Sequence, residues 1–175
     1  MAEYRALVPF VRKWEGGWSH DPSDPGGATM CGVTMVTYTL YRQAKGAPKP
    51  TISDLRALTD EEWMEIFKTY FWDACRGDEI RSQRVAEALV DWYWCSGTVA
   101  MRKVQELLGV EVDGIVGAVT LSAINEQGGG LSTEIHQSRK KFLVNLCHRN
   151  PALQKYRRGW LRRVEALEKR WGGVR

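Results

Sequence analysis

The sequence predicts a mainly α-helical protein of six or seven helices in two lobes, with a short β segment after the first helix. Apolar residues recur at helical spacing in several segments, a capping motif opens one of these segments, and clusters of glycine and proline separate them. The chain has 175 residues, of which 43% are hydrophobic and 26% charged, so it can bury a core. This composition excludes a disordered or collagen-like protein.

The first helix is expected over residues 3–15, where apolar residues stand at positions i, i+3, i+4 and i+7. It should end at the glycine pair 16–17. Residues 16–28, GGWSHDPSDPGGA, contain two prolines and four glycines and predict an irregular loop. The segment 29–41 is rich in Thr, Val and Tyr and predicts a short strand that turns into a helix.

A capping box, Thr59-Asp60-Glu61-Glu62, predicts a helix that runs to about Cys75. Residues 82–96 are apolar nearly all round and predict a central buried helix. Asp91 lies within it. A charged residue there must be paired or hydrogen-bonded, which leaves open whether Asp91 is structural or part of a site.

Two further helices are expected near the C-terminal end. Ser132 or Thr133 can cap a helix that runs through about Cys147, and Asn150-Pro151 separates it from a last helix over about 152–171.

Positive charge is concentrated at the C-terminal end. The net charge is +4, and residues 155–175 hold eight Lys or Arg against two Glu. A basic helix in this segment would suit an anionic polymer or surface as partner. Alternatively, its basic residues simply form a solvent-exposed face. Nucleic acid is not expected, because no helix-turn-helix, RNP or zinc-finger motif accompanies the charge.

The sequence lacks the motifs of several classes of functional site. The four cysteines are far apart with no C-x-x-C pair, which argues against zinc and favours reduced thiols. Phosphate loops, dinucleotide fingerprints and G-x-S-x-G elbows do not occur. The first 17 residues mix charged with apolar side chains, so a Sec signal peptide is not expected.

Chemical groups are concentrated in residues 15–34. Glu15 stands at the end of the first helix, where partial burial and the negative helix end would both favour the protonated form that a general acid needs. A second carboxylate, or a threonine that holds a water, would complete the pair that cleaves a glycosidic bond. The same residues also fit an ordinary helix end and an Asx-turn loop, so residue types alone leave both interpretations open.

The residues in this region resemble a known family. EGGW at 15–18 and DPSDPGGATMCGVT at 21–34 are similar to the EGGY…DP-x-DPGGAT-x-x-G-[IV]-T signature of glycoside hydrolase family 108, lysozyme-like muramidases of phages and bacteria. YFWDACRGDEI at 70–80 resembles the end of that family's catalytic module. Three further segments resemble the peptidoglycan-binding module that usually follows: residues 85–97, 112–120 and 157–164.

The resemblance implies an α+β lysozyme-like fold with a catalytic module at 1–80 and a peptidoglycan-binding helical module at 81–175. It implies hydrolysis of the β-1,4 bond between N-acetylmuramic acid and N-acetylglucosamine, with Glu15 as general acid. Asp24, or a water held by Thr29, would act on the other face of the sugar. No metal or organic cofactor is implied. The candidate substrate-binding residues are Trp18, His20, Asp21, Thr34 and Tyr70, with Trp18 and Tyr70 as sugar-stacking rings or as core.

Three positions depart from the family pattern. Met30 and Cys95 stand where the family has asparagine, and Trp18 replaces a tyrosine. A non-catalytic peptidoglycan-binding or secretion-accessory protein is therefore the alternative, although the retained Glu15 favours an enzyme. Without a Sec signal, we expect synthesis in the cytoplasm and action on the periplasmic cell wall after release by a holin or secretion machinery. The sequence sets no oligomeric state.

Overall fold

The computed structural model describes residues 1–20 and 27–172. Within them the chain is mainly helical, with one small antiparallel sheet after the first helix, which confirms the predicted fold class. The helices are α1 Tyr4–Trp14, α2 Met35–Ala44, α3 Ile52–Arg56, α4 Asp60–Phe67, α5 Gln83–Ser96, α6 Thr98–Leu108, α7 Ala118–Gln127, α8 Leu131–Arg149 and α9 Gln154–Arg170. The sequence patterns do not single out α3, α6 or α7, so the helical part is divided more finely than expected.

The sheet is a short meander in which the middle strand pairs with both others. Its strands are β1 Trp18–Ser19, β2 Thr29–Met30 and β3 Val33–Thr34, in the order β1-β2-β3. The directly opposed pairs are Trp18 with Met30, Ser19 with Thr29, Thr29 with Thr34, and Met30 with Val33. The β segment predicted ahead of α2 is therefore a tight hairpin.

The chain divides into two compact units. The first comprises Val8–Tyr70, and the second comprises Met1–Leu7 together with Phe71–Arg175. In the first unit, α2 packs against α3 and α4. In the second, α5 packs against α6 and α8, and α8 packs against α9. The division into modules at residue 80 stays a prediction.

Two helices of the first unit begin at capping boxes. The box predicted at Thr59 is confirmed, since its hydroxyl accepts a hydrogen bond from the Glu62 amide at 3.2 Å and the Glu62 carboxylate accepts one from the Thr59 amide at 3.1 Å. Thr51 and Asp54 form an equivalent box at the start of α3. Each box satisfies two amides that would otherwise lack partners at a helix start.

The sequence predicts a helix from Thr59 to about Cys75, but the structure does not show a regular helix over that length. α4 ends at Phe67, and a π-helix follows over Lys68–Trp72. Such a turn contains an extra residue and rotates the side chains that follow it. Trp72, at its end, is fully buried, and its indole nitrogen donates to an Asp78 carboxylate oxygen at 2.7 Å.

The start of α8 also differs from the prediction. The helix begins at Leu131, directly after a 3₁₀ turn over Gly128–Gly130, and no side chain caps it. The predicted caps are wrong: Ser132 instead donates to the Gly129 carbonyl at 2.9 Å, and Thr133 lies inside the helix. Leu131 is almost fully buried, and its packing stabilises the first turn in place of a cap.

α5 is buried along residues 85–92, as the sequence predicts for a central helix. Asp91 within it is fully buried and accepts hydrogen bonds at 2.7 Å from Arg139 of α8 and from Arg163 of α9. Burial alone would raise the pKa of Asp91, but the two guanidinium groups outweigh it and lower that pKa. Asp91 is therefore a structural residue that joins three helices.

In the described part of the chain, no helix has the length and apolar character required to cross a membrane. All four cysteines are free thiols. Burial raises the pKa of Cys75 well above its usual value, so this thiol is unreactive.

We predict that Asp91→Asn lowers the free energy of unfolding by about 3–5 kcal/mol, because it leaves two buried guanidinium groups without their counter-charge. Urea denaturation followed by tryptophan fluorescence measures this loss. Glu79→Gln is the control, since it removes one carboxylate from the solvent-exposed ion pair with Arg76. Screening by water makes that loss much smaller. Equal losses in the two variants would contradict the role of Asp91.

Acid should destabilise the protein through His136. This side chain is 3% exposed, and its Nδ1 has no hydrogen-bond partner among the described residues. Burial lowers the pKa of His136 from 6.5 to about 4; Glu168 and Asp91 oppose this shift, while Arg139 and Lys140 add to it. The unfolded chain therefore binds a proton that the folded protein excludes, and stability falls as the pH falls from 6.5 to about 4. The pKa difference corresponds to about 3 kcal/mol.

The check is the melting temperature between pH 4 and pH 7 for the wild type, His136→Gln and His148→Gln. His148 is exposed, so its replacement should leave the pH dependence unchanged. The decline on acidification should be shallower in His136→Gln. Parallel curves for all three proteins would rule out His136 as the group responsible.

Candidate functional site

The end of α1 positions the candidate acid. Glu15 directly follows Trp14, and its amide donates to the Val11 carbonyl at 3.1 Å, so its backbone still lies in the helical hydrogen-bond pattern. Its side chain is half-buried. Gly16 and Gly17 are exposed, and a Cβ at either position would meet no atom of the described residues within 4 Å. Among residues 1–20 and 27–172, nothing therefore covers the backbone just after Glu15.

The register of the sheet collects three hydroxyl groups. Directly opposed residues in an antiparallel sheet point to the same side. Ser19, Thr29 and Thr34 therefore share one side, which we name the hydroxyl face. Val33, on the other side, is fully buried, whereas Ser19 is exposed, so the hydroxyl face is the outer side of the sheet.

A two-residue turn fixes this register. Cys31 and Gly32 connect β2 to β3, with φ angles of +49° and +81°, as a type I′ hairpin requires at both central positions. The Cys31 amide donates to the Gly17 carbonyl at 3.2 Å, and its carbonyl accepts from the Trp63 indole at 2.9 Å. The hairpin is thereby bonded to the segment just after Glu15 and to α4.

Thr34 has a structural role at the end of the hairpin. It is the N-cap of α2, where its hydroxyl accepts from the Thr37 amide at 3.2 Å and lies 3.1 Å from the Thr37 hydroxyl. A capping hydroxyl is already engaged with a backbone donor. Contact of Thr34 with substrate stays a prediction.

The candidate stacking ring at Trp18 is already in contact with two side chains. The Arg56 guanidinium lies over the indole, 4.9 Å from the ring centroid, in a cation–π arrangement. His20 is exposed and meets the indole edge-on, at 5.9 Å between ring centroids. Trp18 itself is half-buried. These contacts orient the ring at the edge of the sheet.

Of the remaining candidates, the structure describes Tyr70 but not the two aspartates. Tyr70 is half-buried in the middle of the π-helix Lys68–Trp72, a type of turn that is frequent at functional sites. Asp21 and Asp24 lie outside the described residues. Across the described ranges, no three His, Cys, Asp or Glu side chains come together as a metal site.

Sequence reasoning missed two residues beside the site. Ser19 joins the hydroxyl face only through strand register, which a two-residue strand does not reveal in sequence. Arg56 lies 38 positions from Trp18, and no local pattern connects them. Both are consequences of tertiary structure.

Comparison with known proteins gives matches over most of the chain. The family model "Glycosyl hydrolase 108" matches residues 8–97, and the model "Predicted Peptidoglycan domain" matches residues 99–165. The chain is also similar to the structure of Brucella abortus SagA, with 28% sequence identity and a TM-score of 0.79. That similarity covers 95% of this chain and 91% of the SagA chain. No curated protein sequence matches.

We predict that Thr34→Ala lowers the free energy of unfolding by about 1 kcal/mol, because α2 loses its N-cap. Thr34→Ser keeps the hydroxyl and serves as the control, with a smaller loss expected. Thermal or urea unfolding monitored by circular dichroism measures both. Thr34→Ala as stable as the wild type would show that the cap is not energetically important.

Proposed function

Because the chain belongs to the glycosyl hydrolase 108 family and contains a peptidoglycan domain, we propose that it hydrolyses peptidoglycan as a muramidase. The bond is the β-1,4 link between N-acetylmuramic acid and N-acetylglucosamine. Glu15 donates a proton to the oxygen that leaves. Protonation stabilises the leaving group, because the sugar departs with a neutral hydroxyl rather than as an alkoxide.

The main support is the position of Glu15 at the end of α1. The carboxyl is half-buried and follows directly on the helix, so its backbone is held by a regular hydrogen bond. The two glycines after it carry no side chain, and no described atom lies within 4 Å of where a Cβ would be. An acid on a rigid element is what protonation of a glycosidic oxygen requires.

The hydroxyl face supplies the second component of the proposed mechanism. Thr29 lies on the central strand between Ser19 and Thr34, and a hydroxyl can both donate to and accept from a water molecule. In the proposed mechanism, the Asp24 carboxylate or a water held by Thr29 attacks the anomeric carbon from the side opposite Glu15. A water as attacking group would invert the configuration. Attack by the carboxylate would form a covalent glycosyl-enzyme intermediate, which a water, deprotonated by Glu15, then hydrolyses, so that the configuration is retained overall.

The proposed substrate lies outside the cytoplasmic membrane. The protein would therefore act at the cell wall, and a holin or secretion machinery would give it access. Peptidoglycan itself is the partner that the matched peptidoglycan domain supports.

The decisive variant is Glu15→Gln, which removes the transferable proton and keeps the shape of the side chain. We expect wild-type protein to release muropeptides with reducing N-acetylmuramic acid ends from purified peptidoglycan, identified by mass spectrometry. Release by Glu15→Gln should fall by at least about 100-fold, the scale of general acid catalysis. The matched control is Glu61→Gln, the same change at an exposed position of α4.

Circular dichroism must show the same melting curve for Glu15→Gln and the wild type, so that lost activity is not lost folding. Unchanged activity in Glu15→Gln would overturn its role as acid. Reducing N-acetylglucosamine ends would overturn the assignment of the bond. Wall binding by the wild type without any cleavage would instead identify a non-catalytic binding protein.

A further inference from the structure

A groove of about 520 Å³ lies on the second unit, between α6 and α8. We name it the α6–α8 groove. Its α8 residues recur every three or four positions from Glu134 to Arg149, so one face of the helix forms a continuous wall. Fifteen residues of helix span about 22 Å, which is long enough for an extended chain of several units.

Opposite charges lie toward the two ends of this wall. Glu134 is near the start of α8, and Lys141 and Arg149 follow about 10 Å and about 22 Å further along the helix. All three side chains are exposed, and within the described ranges neither Glu134 nor Lys141 forms an ion pair. Among the described residues, Arg149 donates only to the Asn145 carbonyl of its own helix, at 3.4 Å. The wall therefore offers one negative and two positive groups to a ligand.

The opposite wall adds no net charge. Lys103 and Glu106 of α6 also line the groove, but the Lys103 ammonium donates to both carboxylate oxygens of Glu106, at 2.9 and 2.6 Å. Their charges neutralise each other. The charge pattern that a ligand meets is thus set by α8.

Between the charges, the wall is lined by groups that suit a peptide. Gln137 and Asn145 have amide side chains, each of which can donate and accept hydrogen bonds as a peptide group does. The half-buried ring of Phe142 gives an apolar floor, fixed against Trp92 at 6.0 Å between ring centroids. A neutral glycan would leave the unpaired charges of α8 unused.

From this pattern we infer that the α6–α8 groove binds the peptide stem of peptidoglycan, an inference that rests on the proposed function. A stem is a short peptide with carboxylates and, where it contains an uncrosslinked diamino acid, a free ammonium group. Glu134 binds the ammonium, Lys141 and Arg149 bind carboxylates, and the amides bind the stem backbone. All of the lining residues fall inside the segment matched by the peptidoglycan domain, 99–165.

The test measures binding of three soluble probes by isothermal titration calorimetry at low salt. The probes are a disaccharide-tetrapeptide that contains diaminopimelate, the same disaccharide without its stem, and the free tetrapeptide. The single disaccharide, N-acetylglucosamine linked to N-acetylmuramic acid, lacks the bond that the enzyme is proposed to cleave. We expect the two probes with a stem to bind, and the bare disaccharide to bind much more weakly.

Lys141→Glu should weaken binding of both stem probes by about tenfold or more, since it replaces a charge-assisted hydrogen bond with repulsion. Arg158→Glu makes the same charge change at an exposed position of α9 outside the groove, and it should leave affinity nearly unchanged. Equal weakening by both variants would show a general charge effect and overturn the site. Equal affinity for the bare disaccharide would overturn the stem as ligand.

The two proposals fail separately. If all three probes bind equally well while Glu15→Gln lowers muropeptide release as expected, the groove proposal is wrong and the muramidase proposal stands. Selective binding that depends on Lys141, in a protein whose lysis is unaffected by Glu15→Gln, would remove the proposed catalytic role and leave the groove. Melting curves for Lys141→Glu and Arg158→Glu separate both results from misfolding.

Discussion

A buried carboxylate joins three helices of the second unit. Asp91 of α5 bonds Arg139 of α8 and Arg163 of α9, so three helices meet at one side chain. An ion buried away from water is costly unless hydrogen bonds replace its hydration, and here they come from two guanidinium groups. Because Arg139 must face Asp91, α8 can have only one rotation about its own axis. That rotation leaves the groove face of α8 exposed.

The cluster also explains the chemistry of its neighbours. Besides bonding Asp91, Arg139 donates to the Cys95 sulfur at 3.2 Å. The low pKa of His136 comes mainly from burial; Arg139 of this cluster lowers it further, while Asp91 opposes the shift. The Cys95 sulfur thus serves as a hydrogen-bond acceptor for a buried guanidinium group.

Sequence patterns predicted the local features well. The capping box at Thr59, the buried helix around Asp91 and the short β segment ahead of α2 each depend on residues within a few positions of one another, so periodicity and local residue preferences suffice. The partners of Asp91 lie 48 and 72 positions away, and no local pattern selects them among the 25 Lys and Arg of the chain. The start of α8 failed for a related reason: burial of Leu131 outweighs the capping preference of Ser132.

The candidate site was predictable as a motif but not as a geometry. Residues 15–18 and 21–34 indicate the family, because the spacing of their glycines, prolines and threonines is similar to that of the family signature. The hydroxyl face, by contrast, depends on a Cys31-Gly32 turn in which a non-glycine residue has a positive φ angle. A hydrogen bond from the Trp63 indole of α4 to the Cys31 carbonyl supports that conformation. This turn sets Thr29 opposite Thr34, whereas Ser19 reaches the same face through the pairing of β1 with β2.

The proposed catalytic acid and the proposed stem-binding groove lie in different segments of this chain. The hydrolase family model ends at residue 97 and the peptidoglycan domain begins at residue 99, while Glu15 and the α6–α8 groove lie in different compact units. An enzyme that acts on an insoluble polymer gains from a second attachment, because a bound stem raises the local concentration of cleavable bonds. That gain requires a binding site whose ligand is not consumed by the reaction. The stem satisfies this condition, since hydrolysis of the glycan leaves the peptide intact.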